Sequence, residues 1–473
     1  MLFNSITFLI FFAIVLALHN LPISWTWRKA NLLVASYIFY AAWNPPFVVL
    51  LWITNLIDWY AAWALGRTEG AKARKVLIVI SMAANLGLLG FFKYGNFMLE
   101  NFIELAHMVG IEYHPAPWSI ILPIGISFYT FHSMSYTIDV YRRKYKPCDS
   151  FLDFALYVGF WPALVAGPIL RADPFLEQCR TPRKATARQY GWGLTLLTLG
   201  LFSKTILADW IMGPVSDDVF ANVTGMSCLD AWVGVLAFSG QIYFDFSGYS
   251  LCAVGTAMCL GFMVPDNFHF PYASIGFSDF WRRWHISLSS WLRDYLYITL
   301  GGNRAGHRRT YVNLMLTMLL GGLWHGASWK FVVWGGLHGV YLVVERLFRS
   351  RWGETWMTET RRRQIGFALL TYFLVLITWV FFRAANLSDS LSVLATMFLG
   401  SGNPIFLPDN QIQRVLLLTV GLLAAHWLLR DSNLEAVAGR LRGWQVSVVL
   451  AGLLLTMILN ASGDSRGFIY FQF

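Results

Sequence analysis

Charge is scarce in this chain. Only 13% of its 473 residues are Asp, Glu, Lys or Arg, about half the share of a soluble domain. No polar stretch is long enough to fold alone, so we expect residues 1–473 to form a single integral-membrane domain. Cysteine is scarce as well. Cys148 and Cys179 fall in basic loops, Cys228 near an acidic one, and Cys252 and Cys259 in an apolar segment. No Cys-x-x-Cys occurs, which argues against a zinc site or a redox pair. Ser, His and Asp are present, but the Gly-x-Ser-x-Gly elbow of a serine nucleophile is missing. His325 and His338 stand 13 residues apart, with no His-x-x-x-His or carboxylate–His spacing, so no metal is expected.

What is abundant is apolar. Hydrophobic residues make up 56% of the chain, and 22 Trp and 20 Tyr suit aromatic belts at two interfaces. The formal charge of +10 is clustered in loops, a pattern that reads as topology signal and lipid contact rather than nucleic-acid binding. Ten apolar stretches are long enough, or nearly so, to span: 3–25, 30–44, 47–65, 76–104, 118–140, 189–212, 229–263, 364–383, 414–430 and 443–461. The first lacks a basic flank and a cleavage site, so it reads as a retained span. The stretch 229–263 is too long for one crossing, and Asp245-Phe246-Ser247-Gly248 is expected to break it. Residues 151–170, with Pro162, Gly167 and Pro168, read as a hairpin between basic flanks. Residues 311–345, interrupted by Gly321, Gly322, Gly326, Gly335, Gly336 and Gly339, read as a second. Broken helices at membrane depth need a protein-lined cavity, and these hairpins are expected to line it. Alternating spans put Arg28, Lys29, the cluster 67–75 and the hairpin flanks on the cytoplasmic face, with the N-terminus outside.

Two segments carry chemistry. Residues 279–294 hold five charges and His285, which would cost on the order of 12–18 kcal/mol if exposed to lipid. The segment therefore lies in the interface or lines a polar cavity. Its Arg282, Arg283 and Arg293 could meet an anionic donor such as a coenzyme A or phosphopantetheine phosphate. The run Tyr311–Leu323 follows the basic cluster Arg304, His307, Arg308, Arg309 and spans about 20 Å as helix. His325 then falls inside a hydrocarbon core about 30 Å thick. An imidazole at that depth is by default a functional-site hypothesis, and as a general base it suits acyl transfer. Tyr243, Asp245, Ser247 and Tyr249 could add polar lining, and Asp139 could pair with Arg142 or Arg143.

Phe280-Trp-Arg-Arg-Trp-His-Ile-Ser-Leu-Ser-Ser-Trp-Leu-Arg-Asp, Leu300-Gly-Gly-Asn-Arg, Gly321-Gly-Leu-Trp-His-Gly-Ala-Ser-Trp, Leu122-Pro-Ile-Gly, Tyr243-Phe-Asp-Phe-Ser-Gly-Tyr-Ser and Phe468-Ile-Tyr-Phe-Gln-Phe resemble the membrane-bound O-acyltransferases. The resemblance is to their alginate O-acetyltransferase branch, nearly end to end. It implies an all-α polytopic fold of roughly ten to twelve spans with re-entrant hairpins around a central tunnel. His325 and His285 would be the catalytic pair, with His338, Tyr243, Asp245, Trp324 and Asn303 supporting the tunnel. The resemblance further implies an inner-membrane enzyme with no bound cofactor that takes acetyl from a cytoplasmic thioester, acetyl-CoA. The acetyl would pass to an exported polysaccharide through periplasmic partner proteins. D-alanyl transfer to teichoic acid, peptidoglycan O-acetylation and glycan or acyl transport remain open.

Overall fold

In a computed structural model, residues 1–115, 120–460 and 466–469 are described, and they form helices and loops with no strand among them. Residues 118–119 of the expected span 118–140 and residues 470–473 of the terminal motif lie outside that description. The chain divides into two compact units, Met1–Leu194 with Ala253–Pro265 and Thr195–Cys252 with Asp266–Phe473.

The first unit begins with α1 (Ile6–His19), α2 (Trp25–Ala41), α3 (Val48–Arg67), α4 (Ala71–Met108) and α5 (Ile126–Tyr141). After them come α6 (Phe151–Gly159), α7 (Trp161–Leu164) and α8 (Ala172–Arg180). Polar staples hold these apolar helices. Asp58 on α3 accepts from Asn85 on α4 at 2.8 Å, from Ser81 beside it, and from Ser133 on α5. Arg74 donates to Leu65 and Thr68 carbonyls at the end of α3 and to Val140 and Tyr141 carbonyls at the end of α5. One guanidinium thus satisfies carbonyls that two helix ends leave over. Lys29 pairs with Asp153 and donates to the Cys179 carbonyl, so this residue, read as topology signal, also ties α2 to the hairpin. Asp139 has Lys144 at 3.8 Å, while Arg143 reaches Glu69 instead.

The expected hairpin at 151–170 is present as α6, α7 and a turn, and nearly all of it is buried. Pro162 sits in the first turn of α7, where its missing N–H costs nothing. A Cβ on Gly167 would lie 2.5 Å from Ala163 Cα, so only glycine fits that turn. The hairpin packs on α5 through His132, whose Nε2 accepts from the Leu170 amide at 3.0 Å.

The boundary between units falls within α9 (Ala187–Phe202) and α11 (Cys228–Cys259), with α10 (Gly213–Ala221) between them. The expected break at Asp245–Gly248 does not occur: α11 is continuous over 32 residues. Asp245 is neutralised by Lys204 at 2.6 Å and accepts from the Ile469 amide at 2.7 Å. Gly248 lets α11 approach the Gly200 carbonyl, 2.7 Å from where a Cβ would be. Residues read as a helix break are helix–helix contacts.

The second unit continues with α12 (Phe277–Arg283), α13 (Ile286–Trp291), α14 (Gly306–His325), α15 (Trp329–Trp352) and α16 (Arg361–Arg383). It ends with α17 (Leu387–Leu399), α18 (Asp409–Leu429), α19 (Leu434–Ala438) and α20 (Gly443–Leu459). Among the described residues, six helical stretches are long and apolar enough to cross a membrane, and α1, α17 and α20 are shorter apolar helices. Some of the remaining expected spans are shorter or more polar than a simple crossing helix. The 16-residue α5 buries Thr130, His132, Ser133, Ser135 and Thr137. By contrast α20 buries no residue at all, and exposed Leu, Ile and Val cover α1, α18 and α20. Such apolar surface belongs against lipid. The molecule is an all-helical, multi-pass membrane protein.

Candidate active site

The expected second hairpin forms, but not as expected. The glycines at 321, 322, 335, 336 and 339 lie inside helices, and the chain breaks only at Gly326–Ser328, between α14 and α15. A Cβ on Gly335 would sit 2.3 Å from the Met318 carbonyl, and one on Gly322 would sit 2.2 Å from that of Phe331. Their small size brings two backbones together, the usual role of glycine between membrane helices.

His325 is the last residue of α14, about 24 Å along the axis from Arg309 in the basic first turn. It is 3% exposed and enclosed by rings: Trp334 at 4.8 Å, Trp324 at 5.0 Å and Phe382 at 5.4 Å. His338, one turn beyond Trp334 on α15, is fully buried among Trp334, Trp281 and Phe280 at 4.7, 5.1 and 5.9 Å.

The segment 279–294 is neither one amphipathic helix nor a span. It consists of α12, a sharp turn, α13 and a π-helical turn at Leu292–Tyr297. His285 makes the sharp turn with φ 43°, a left-handed conformation rare for a residue with a side chain. Asn267 holds it there. The Asn267 carbonyl accepts from Ile286 N, and its side-chain Oδ1 accepts from Ser287 N, Ser287 Oγ and His285 Nδ1. Because Oδ1 accepts a backbone N–H, the amide orientation is fixed and Nδ1 must be the protonated nitrogen of the neutral ring. Nε2 is therefore the basic atom. The His285 ring lies 6.1 Å from Trp324, whose other neighbour is His325, and 4.6 Å from Phe246. Both histidines thus abut one indole.

The other expected site residues divide into four groups. Trp324 and His338 join the histidines. Tyr243 packs nearby on Phe268, Tyr272 and His426, while Asp245 is engaged by Lys204 and accepts from the Ile469 amide. Asn303 lies in the turn before α14, at the opposite end of that helix from His325, where it accepts from Tyr297 at 2.9 Å. Of the three arginines, Arg282 and Arg293 are exposed, Arg293 being paired with Asp294. Arg283 is instead engaged by Asp279 at 2.9 Å, His269 at 3.0 Å and the Arg430 carbonyl at 2.8 Å. Sequence reasoning missed Asn267, Trp334, Phe382 and His426. Asn267 stands in no motif, 18 residues before the histidine it orients.

Comparisons with known proteins identify the family. The chain is 41% identical over 403 residues to the "Probable alginate O-acetylase AlgI" of Azotobacter vinelandii, covering 84% of this chain and 78% of that one. It is 36% identical over 397 residues to the peptidoglycan O-acetyltransferase of Helicobacter pylori, covering 78% and 73%. It is 28% identical over 276 residues to the teichoic acid D-alanyltransferase of Bacillus subtilis, covering 55% and 69%. The model of the MBOAT, membrane-bound O-acyltransferase family, matches residues 90–385, which hold His285, His325 and His338. With two buried histidines meeting on one indole inside that matched stretch, the chain belongs to the membrane-bound O-acyltransferase family and is an acyltransferase.

Proposed function

We propose that this chain moves an acetyl group from a cytoplasmic thioester, acetyl-CoA, to the outside of the bacterial inner membrane for O-acetylation of an exported polysaccharide. The observation that carries the reading is His325, buried among three aromatic rings at the end of a helix whose other end is basic. In such a setting the imidazole takes the proton of an acceptor hydroxyl as its oxygen attacks the thioester carbonyl. The C–S bond then breaks, and the thiolate leaves and is protonated. His285, with its proton held on Nδ1 by Asn267, turns Nε2 to the acceptor hydroxyl and orients it. The aromatic walls exclude water, which would otherwise hydrolyse the thioester. Arg282 and Arg293, exposed on the segment bearing His285, contact the donor phosphates at the cytoplasmic mouth. A tunnel from that mouth leads past His325 to the periplasmic side, where the N-terminus lies and partner proteins receive the acetyl group.

Support for an acetyl group and a glycan acceptor comes from the relatives, two of which are named for O-acetylation at 41% and 36% identity. The second of these favours peptidoglycan as an alternative acceptor. The test is to express the full chain with its neighbouring operon products and measure ester-bound acetyl on each purified polymer. His325→Ala should lower it by about a hundredfold or more in protein that still accumulates in the membrane. Undiminished polymer acetylation in that variant would refute the catalytic role and favour a transporter.

A further inference from the structure

One face of α15 holds more than the family signature requires. Trp334, His338, Tyr341 and Glu345 recur at intervals of four, three and four residues, which places them on a single stripe. The stripe meets α12 from end to end. Trp334 and His338 touch Trp281 at 5.8 and 5.1 Å, His338 stacks on Phe280, and Tyr341 stacks on Phe277 at 4.4 Å. At its far end the Glu345 carboxylate accepts from the Phe277 and Ser278 amides, the latter at 3.0 Å, while Arg349 holds its other oxygen at 2.8 Å. Helix α12 has no side-chain cap of its own. The cap comes from a carboxylate on another helix, 68 residues along the chain. Gly276, at φ 84°, leaves room for it: a Cβ there would stand 2.8 Å from Glu345 Oε2. The same stripe touches His325 through Trp334, and α12 ends two residues before His285.

We infer that Glu345 is a positioning residue: it fixes the register of α12 along α15 and so sets His285 against His325. The inference rests on the catalytic roles proposed above. Without the carboxylate, the buried Phe277 amide and the part-buried Ser278 amide lose their acceptor and the start of α12 can shift along the aromatic stripe. His285 moves with it, because the turn at 284–285 transmits the shift. A displacement on the order of 1 Å at a reacting group costs up to about a hundredfold in rate.

Two measurements on the full-length chain in native membranes test this, with Glu345→Ala and the isosteric Glu345→Gln compared at equal membrane abundance. The first is polymer-bound acetyl ester. Glu345→Ala should lower it about tenfold or more, and Glu345→Gln, which keeps an oxygen for the amides, should lower it less. Adding Glu345→Ala to His285→Ala should then cause little further loss, as expected for residues acting through one group. Losses that multiply, or a His285→Ala chain with full activity, would overturn the inference. The second is the rate at which diethyl pyrocarbonate modifies His285, read by mass spectrometry, which needs no turnover. The rate should rise in Glu345→Ala, and an unchanged rate overturns the inference even if the proposed reaction proves wrong.

Discussion

The two hairpins, 151–170 in the first unit and 306–352 in the second, look alike in sequence. Each is apolar, rich in glycine or proline and flanked by basic residues. Each also has a buried histidine beside it or in it. Their hydrogen bonds differ. At the first hairpin His132 faces backbone on both sides, with Nε2 accepting from Leu170 N and Nδ1 beside the Val158 carbonyl. Tyr157 in turn donates to the His132 carbonyl. This imidazole serves as a polar plug between helix ends. At the second, His325 and His338 are surrounded by indole and phenyl rings, and Nδ1 of the nearby His285 is gripped by the Asn267 side chain. Among the described residues, neither ring nitrogen of His338 has a hydrogen-bond partner. His132 completes backbone hydrogen bonding, whereas the histidines of the second hairpin face mainly aromatic rings, and the proposed chemistry is assigned to the second kind.

That contrast can be broken in four ways, from the largest effect down. His325→Ala should reduce polymer acetylation by about 10²–10⁴, the range for loss of a general base. His132→Ala should do far less: activity per folded molecule should stay within a few fold, measured as acetyl ester per unit of membrane protein. Equal losses in the two would erase the distinction. Asn267→Ala should cost about tenfold or more in transfer, because the His285 tautomer is no longer fixed and the left-handed turn loses its clamp. Asn267→Asp, which keeps the acceptor oxygen, should recover much of that loss, and a failure to recover would point to packing alone. Gly335→Ala should destabilise the protein by about 1–3 kcal/mol through the clash with the Met318 carbonyl. A lowered melting temperature in detergent checks it, and the corresponding change at Gly366, where nothing lies within 4 Å, should leave it unmoved. In stability, His132→Ala should likewise cost about 1–3 kcal/mol, since the Leu170 amide is left buried without its acceptor.

Much of this was legible in sequence, for reasons that can be stated residue by residue. Five charges among aromatics at 279–294 cannot face lipid, so that segment had to be special, and it houses His285. That a helix with a basic first turn ends at His325 followed from counting residues on from the basic cluster. Other features were hidden because they depend on partners far along the chain. Asp245 read as a helix break, yet Lys204, 41 residues earlier, neutralises it within an unbroken α11. Glycines at 322 and 335 read as interruptions because a missing side chain serves flexibility and close approach alike, and only the facing carbonyl decides between them. Helix α17 was passed over altogether, since its Ser and Asp residues dilute an apolar run of 13.

Arg74 has an implication for how the chain tolerates change. It bridges the ends of α3 and α5 from the first turn of α4, so the short link from Thr68 to Arg74 behaves as a ruler of set length. Its lettering can vary, but a single inserted residue would swing the guanidinium away from both rows of carbonyls. Drift in this corner of the protein is therefore open to substitution and closed to insertion.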